Sequence, residues 1–104
     1  MDIAKYKLRY TQDFRDDLNG IVDYIADSLL NPEAAQRLVD DVHAAILERL
    51  KAPAAFEKYQ ARLSLWDTWY RIRVRNYTIF YVVEGDTMEV RRILYNRRDW
   101  KGLI

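Results

Sequence analysis

Three arginines at alternate positions, Arg71, Arg73 and Arg75, are the most chemically pointed feature of the sequence. They interleave with Tyr70, Ile72 and Val74, the pattern of a strand with one apolar and one polar face. Successive side chains of a strand point to opposite faces, so all three guanidiniums are expected on the same one. Arg presents a rigid fork of donors suited to phosphate and carboxylate oxygens. Three like charges in a row repel mildly, so carboxylates, a phosphate backbone or an acidic partner should compensate them. Arg91 or Arg92, from a later apolar segment, should join that face, with Arg97, Arg98 and Lys101 in the tail beside it. Tyr77, Tyr81, Tyr95 and Trp100 lie among these cations. They read first as core, with base stacking as their alternative use.

Other chemistry is sparse. The chain has no Cys and one His, His43, which falls on a helical pattern without a second ligand residue beside it. Asp13, Asp16, Asp23 and Asp27 read as the solvated stripe of a helix, so no metal site and no cofactor are expected. The sequence contains no Gly-rich phosphate loop, no H-E-x-x-H and no G-x-S-x-G. Any catalysis must therefore rest on Arg, Tyr, Lys or Asp. Cleavage of RNA by its own 2′-hydroxyl suits that set, because the nucleophile arrives with the substrate. The protein then has to orient it, stabilise a developing phosphorane and protonate the leaving oxygen.

The elements that must carry these residues can be read from pattern. Tyr6 to Tyr10 alternates as a first strand. Thr11 offers an N-cap, and Phe14, Leu18, Ile21, Val22, Ile25 and Leu29 then form one apolar helical face. Gly20 sits inside this helix at a cost of about 1 kcal/mol relative to Ala, a residue that would permit close packing of a neighbour. Asn31-Pro32-Glu33 restarts a helix, with Asn as cap and Pro at the first helical position. Ala35, Leu38, Val39, Val42, Ile46 and Leu50 face inward along it, and it ends before Pro53. So short a break between two amphipathic helices makes an antiparallel hairpin. Residues 54–67 read as a loop. Three strands follow, with Asn76 expected to take positive φ in the first turn and Glu84-Gly85-Asp86-Thr87 closing the second hairpin. The order is β-α-α-β-β-β, an α+β fold with the helical hairpin packed on one face of a mainly antiparallel sheet.

With 104 residues, the chain suits one domain spanning 1–104. The MDIAKYKLRY start has an acid at position 2 and no apolar run, so no signal peptide is expected. No apolar stretch is long enough to cross a membrane. The lack of cysteine fits a reducing compartment, so a cytoplasmic protein is expected. The formal charge of +1 conceals a polarity: residues 1–57 hold 7 basic and 11 acidic side chains, residues 58–104 hold 10 and 5. Either an acidic helical half neutralises a basic sheet half internally, or a basic face awaits a partner.

In order and spacing, several segments together resemble the RelE/ParE superfamily, the toxins of type II toxin–antitoxin modules. They are the opening strand, Asn31–Ala35, Tyr70-Arg71-Ile72-Arg73-Val74, Asn76–Tyr81 and the terminal Ile93-Leu94-Tyr95-Asn96-Arg97-Arg98-Asp99-Trp100. The resemblance covers nearly the whole chain. It implies a growth-inhibiting toxin of the plasmid-stabilisation type, held by a cognate antitoxin that folds on binding. The superfamily divides by target: RelE-like members cleave messenger RNA at the ribosome without metal, whereas ParE-like members inhibit DNA gyrase. Arg71 and Arg73 match the two basic strand positions of the RelE branch and Arg98 its later basic residue. Thr78 stands where that branch has a central-strand arginine. In the RNase reading, Arg73 and Arg98 stabilise charge, Arg71 and Arg75 hold phosphates, and Tyr95 takes the proton-donor role. The Ile-Leu-Tyr-Asn-Arg-Arg-Asp ending looks more like the ParE branch. A third possibility is a toxin-like module that binds an antitoxin without being toxic.

Overall fold

The computed structural model describes residues 5–59 and 68–96. Strand β1 (Lys7–Tyr10) leads into helix α1 (Gln12–Asp23), whose last turn widens into a π-helical turn over Tyr24–Ser28. Helix α2 spans Pro32–Arg49. The strands that follow are β2 (Lys58–Tyr59), β3 (Trp69–Val74), β4 (Tyr77–Glu84) and β5 (Thr87–Tyr95). They form one sheet in the order β1-β5-β4-β3-β2. Only the β1–β5 pair is parallel; the other three pairs are antiparallel. The expected α+β architecture is present, with two residues of the anticipated loop recruited as the short edge strand β2.

Both helix starts follow from their caps. The Thr11 hydroxyl oxygen accepts the Phe14 N–H at 3.1 Å and its O–H donates to the Arg91 carbonyl at 2.8 Å. One side chain therefore ends β1, starts α1 and ties both to β5. Asn31 accepts the Ala34 N–H at 3.1 Å with Pro32 directly after it. Between the helices Leu30 sits at φ 52°, a left-handed conformation that Gly usually takes. Phe14, Leu38, Val42 and Ile46 bring the helical faces down onto Ile72, Ile79, Tyr81, Met88, Val90 and Ile93. Among the described residues Gly20 does not serve close packing, since a Cβ built on it meets nothing within 4 Å there.

Two sheet details redirect side chains. The first is the β3–β4 turn. Arg75, not Asn76, carries the positive φ, at 55°, while Gly85 takes the matching position of the β4–β5 turn at 60°. The second is a register shift in β4–β5: Phe80 faces Arg92 and Tyr81 faces Val90, so Arg91 is an extra residue on β5. Val90 and Ile93, three apart, thereby both reach the core.

Candidate functional site

Register places Arg71 opposite Phe80 and Arg73 opposite Thr78, on the sheet face away from the helices. Both guanidinium-bearing residues are exposed while Tyr70, Ile72 and Val74 are buried, as the alternation requires. Arg73 has no ion-pair partner among the described residues. Arg75 does not belong to this row. Its left-handed backbone turns the side chain toward α2, where Nε and Nη2 both reach Asp41 Oδ2 at 2.6 Å. Nor is the face an open polar surface: Trp69, Phe80, Val82 and Leu94 are buried on it. Of the two β5 candidates, Arg91 is the one that joins. It donates to Glu89 at 2.7 Å and its guanidinium lies 5.1 Å from the Trp69 ring centre. Arg92 is tied instead to Asp17 of α1 at 2.7 and 2.9 Å. That bond, against a smaller desolvation cost, raises the Arg92 pKa further above its ordinary value.

A residue that sequence reasoning missed completes the basic surface. Arg49, in the last turn of α2, donates to the Arg71 carbonyl at 3.1 Å and to the Tyr81 hydroxyl at 2.9 Å. Its guanidinium also lies 3.6 Å from the Phe56 ring centre. The Tyr81 hydroxyl in turn donates to the Pro53 carbonyl at 2.7 Å. Burial pushes the Tyr81 phenol up, only partly offset by Arg49, so it stays a neutral donor at physiological pH. Arg49 thus joins α2, the segment after it and the two central strands. The only local signal was a basic residue near a helix C-terminus, which the dipole explains without any site. Arg49, Arg71, Arg73, Phe56, Glu57 and Thr78 line a cleft of about 380 Å³. Thr78 is buried, and its hydroxyl donates to Asn96 Oδ1 at 2.6 Å.

Tyr95 is on the other side of the sheet. It pairs with Tyr77, their ring centres 5.6 Å apart, and lines a larger groove of about 930 Å³ between α1, α2 and the β3–β4 turn. Burial, with the Tyr95 and Tyr24 phenols adding to it, pushes the Tyr77 pKa up. Arg73 and Tyr95 are therefore not brought together. Arg97, Arg98, Trp100 and Lys101 lie outside the described residues. His43 is an exposed residue of α2. No cluster of three potential metal ligands exists among the described residues, and no helix there is long and apolar enough to cross a membrane.

Comparison with known proteins agrees with this architecture. The model of the ParE toxin family of type II toxin–antitoxin systems matches residues 8–100, and the chain belongs to that family. Among solved structures, it is similar to a chain of the chromosomal ParDE system from P. aeruginosa, with a TM-score of 0.68 at 20% identity. That alignment covers 88% of this chain and 97% of the other. A chain of a RelBE toxin–antitoxin complex from Mycobacterium tuberculosis aligns with a TM-score of 0.58 at 19% identity, covering 90% and 94%. One from the RelB–RelE complex of Methanococcus jannaschii gives 0.51 at 20% identity, covering 92% and 99%. At these identities the likeness is one of fold. No curated protein matches the chain.

Proposed function

We propose that this ParE-family chain is a growth-inhibiting toxin, neutralised by a cognate antitoxin, whose target is DNA gyrase rather than messenger RNA on the ribosome. The observation that carries the choice of target is the Arg73–Thr78 rung. An RNA-cleaving site of the RelE kind would use a third cation there to stabilise the developing phosphorane. Here the position is a buried hydroxyl whose proton is committed to Asn96. Losing one such donor costs about 2.7–4 kcal/mol of transition-state stabilisation. The placement of Tyr95 across the sheet from Arg73 supports the same choice, because the RNase reading pairs the two in one site. Arg71 and Arg73 then serve to bind an acidic surface, which requires charge and shape but no proton transfer. A cytoplasmic site of action follows from such a target.

The test is pulse labelling of protein and DNA synthesis after induction without the antitoxin, joined to a supercoiling assay with purified gyrase. Inhibited supercoiling, continued translation and relief by Arg73→Ala are expected. Prompt arrest of translation with defined cuts in ribosome-bound messages would establish the RNase reading instead. Harmless expression would leave only the non-toxic binding module.

A further inference from the structure

The guanidinium of Arg49 is fixed in place but only partly used. Its Nη1 serves the Arg71 carbonyl at 3.1 Å and the Tyr81 hydroxyl at 2.9 Å, and its central carbon lies 3.6 Å over the Phe56 ring centre. Nε and Nη2, which together form one edge of the fork, have no hydrogen-bond or ion-pair partner among the described residues. Elsewhere in the chain such an edge holds a carboxylate. Arg92 spends the same two nitrogens on the two oxygens of Asp17, at 2.7 and 2.9 Å. Arg73, which also has no ion-pair partner among the described residues, lines the same cleft as Arg49. Phe56, 48% exposed, adds an apolar wall beside them.

We propose that this cleft receives one carboxylate side chain of the protein on which the toxin acts. The Nε–Nη2 edge of Arg49 holds it, Arg73 adds charge, and an apolar neighbour of the acid lies against Phe56. The inference rests on the reading that the target is a protein. A guanidinium already pinned by two hydrogen bonds and a ring loses little further freedom on binding. Glu57, exposed and without an ion pair among the described residues, lines the same cleft. A lone carboxylate can turn away from it, but a nucleic-acid strand brings a further phosphate on either side of the one bound. The cations that would extend the row are spent, Arg75 on Asp41, Arg92 on Asp17 and Arg91 on Glu89. Among the described residues the cleft is thus a short basic spot with an acid in its lining, and Glu57 is its selectivity residue.

Magnetic resonance of the arginine Nε–Hε groups in the isotope-labelled, antitoxin-free chain tests it. Acetyl-Leu-Glu-Leu-amide should shift the Arg49 and Arg73 signals saturably in the millimolar range. The Arg92 signal, whose edge Asp17 already holds, should not move. The matching Gln peptide should bind about tenfold more weakly, since a neutral amide forfeits the charge-assisted pair. Hexauridylate should leave both signals unmoved in the wild type and shift them in Glu57→Gln. Arg49→Lys keeps the charge and loses the fork. It should raise by about tenfold the concentration needed to inhibit gyrase, with antitoxin affinity unchanged and unfolding still cooperative. An Arg49 signal that ignores the Glu peptide, equal binding of the two peptides, or a wild-type cleft that prefers hexauridylate overturns the proposal. So does Arg49→Lys losing antitoxin affinity instead of gyrase inhibition, and Glu57→Gln still excluding hexauridylate overturns the selectivity given to Glu57. Expected peptide shifts in a chain that leaves gyrase active would uphold the carboxylate site and end the gyrase reading alone.

Discussion

Asp17 is the place where a single substitution should do most to loosen the helices from the sheet. Its Oδ2 accepts Arg92 Nε at 2.7 Å and the Ile93 N–H at 3.1 Å, and its Oδ1 accepts Arg92 Nη2 at 2.9 Å. The two side chains are only 14% and 20% exposed, so water replaces these bonds poorly. Truncation to Ala takes both charge-assisted bonds from a mostly buried guanidinium and the side-chain acceptor from a backbone amide at once. A hydrogen bond to a charged group contributes about 1.5–3 kcal/mol, and breaking a fully buried pair costs about 3–5. For this partly hydrated site, Asp17→Ala should therefore cost about 2–4 kcal/mol. In a domain of this size that lowers Tm by roughly 10–25 °C. Urea unfolding followed by circular dichroism, with linear extrapolation, measures the loss. A cycle with Arg92→Ala should return a coupling of about 1–3 kcal/mol. A loss below about 0.5 kcal/mol, or additive single changes, would refute the argument that this pair joins α1 to β5.

Three further outcomes follow from neighbouring groups. Burial raises the Glu89 carboxyl, but hydrogen bonds from Arg91 and Arg9 outweigh it and hold the pKa below the ordinary value of 4.5. A depressed folded-state pKa adds stability above the unfolded value, and that stability is lost as pH falls through the folded one. Acid titration of stability below about pH 5 should thus be steeper for the wild type than for Glu89→Gln. Equal slopes would show that the carboxylate is not coupled to folding. Arg75→Gly relieves a left-handed backbone while losing the same exposed ion pair that Arg75→Ala loses. The Gly variant should be the more stable of the two by about 1 kcal/mol in urea. Tyr81→Phe leaves the buried Pro53 carbonyl and one Arg49 donor unpaired, for an expected loss of about 1–3 kcal/mol in the same assay.

The strands and helices were legible because local signals agreed with one another. Thr11 and Asn31 cap the two helices as their types require, and the Tyr70–Val74 alternation gave the correct faces for Arg71 and Arg73. The aromatic and β-branched run at Tyr77–Val83 is the central strand of the five. What failed locally was detail set by backbone geometry. A two-residue edge strand carries too few side chains to show a period. The positive φ fell on Arg75 although Asn76 has the better intrinsic preference, and with it one of three arginines left the row.

The charge polarity of the chain has a mixed resolution. Sequence alone determined the α+β class, the helical hairpin, the family resemblance and a basic strand face, because each depends on residue type and spacing within a few turns. It could not say which arginines the acidic helices consume. Asp41 takes Arg75 and Asp17 takes Arg92, across 34 and 75 residues of chain, so part of the basic half is neutralised internally. It also could not draw Arg49 into the cleft or send Tyr95 to the opposite face. Those outcomes depend on helix placement over the sheet and on a one-residue bulge, both decided only when distant segments pack together.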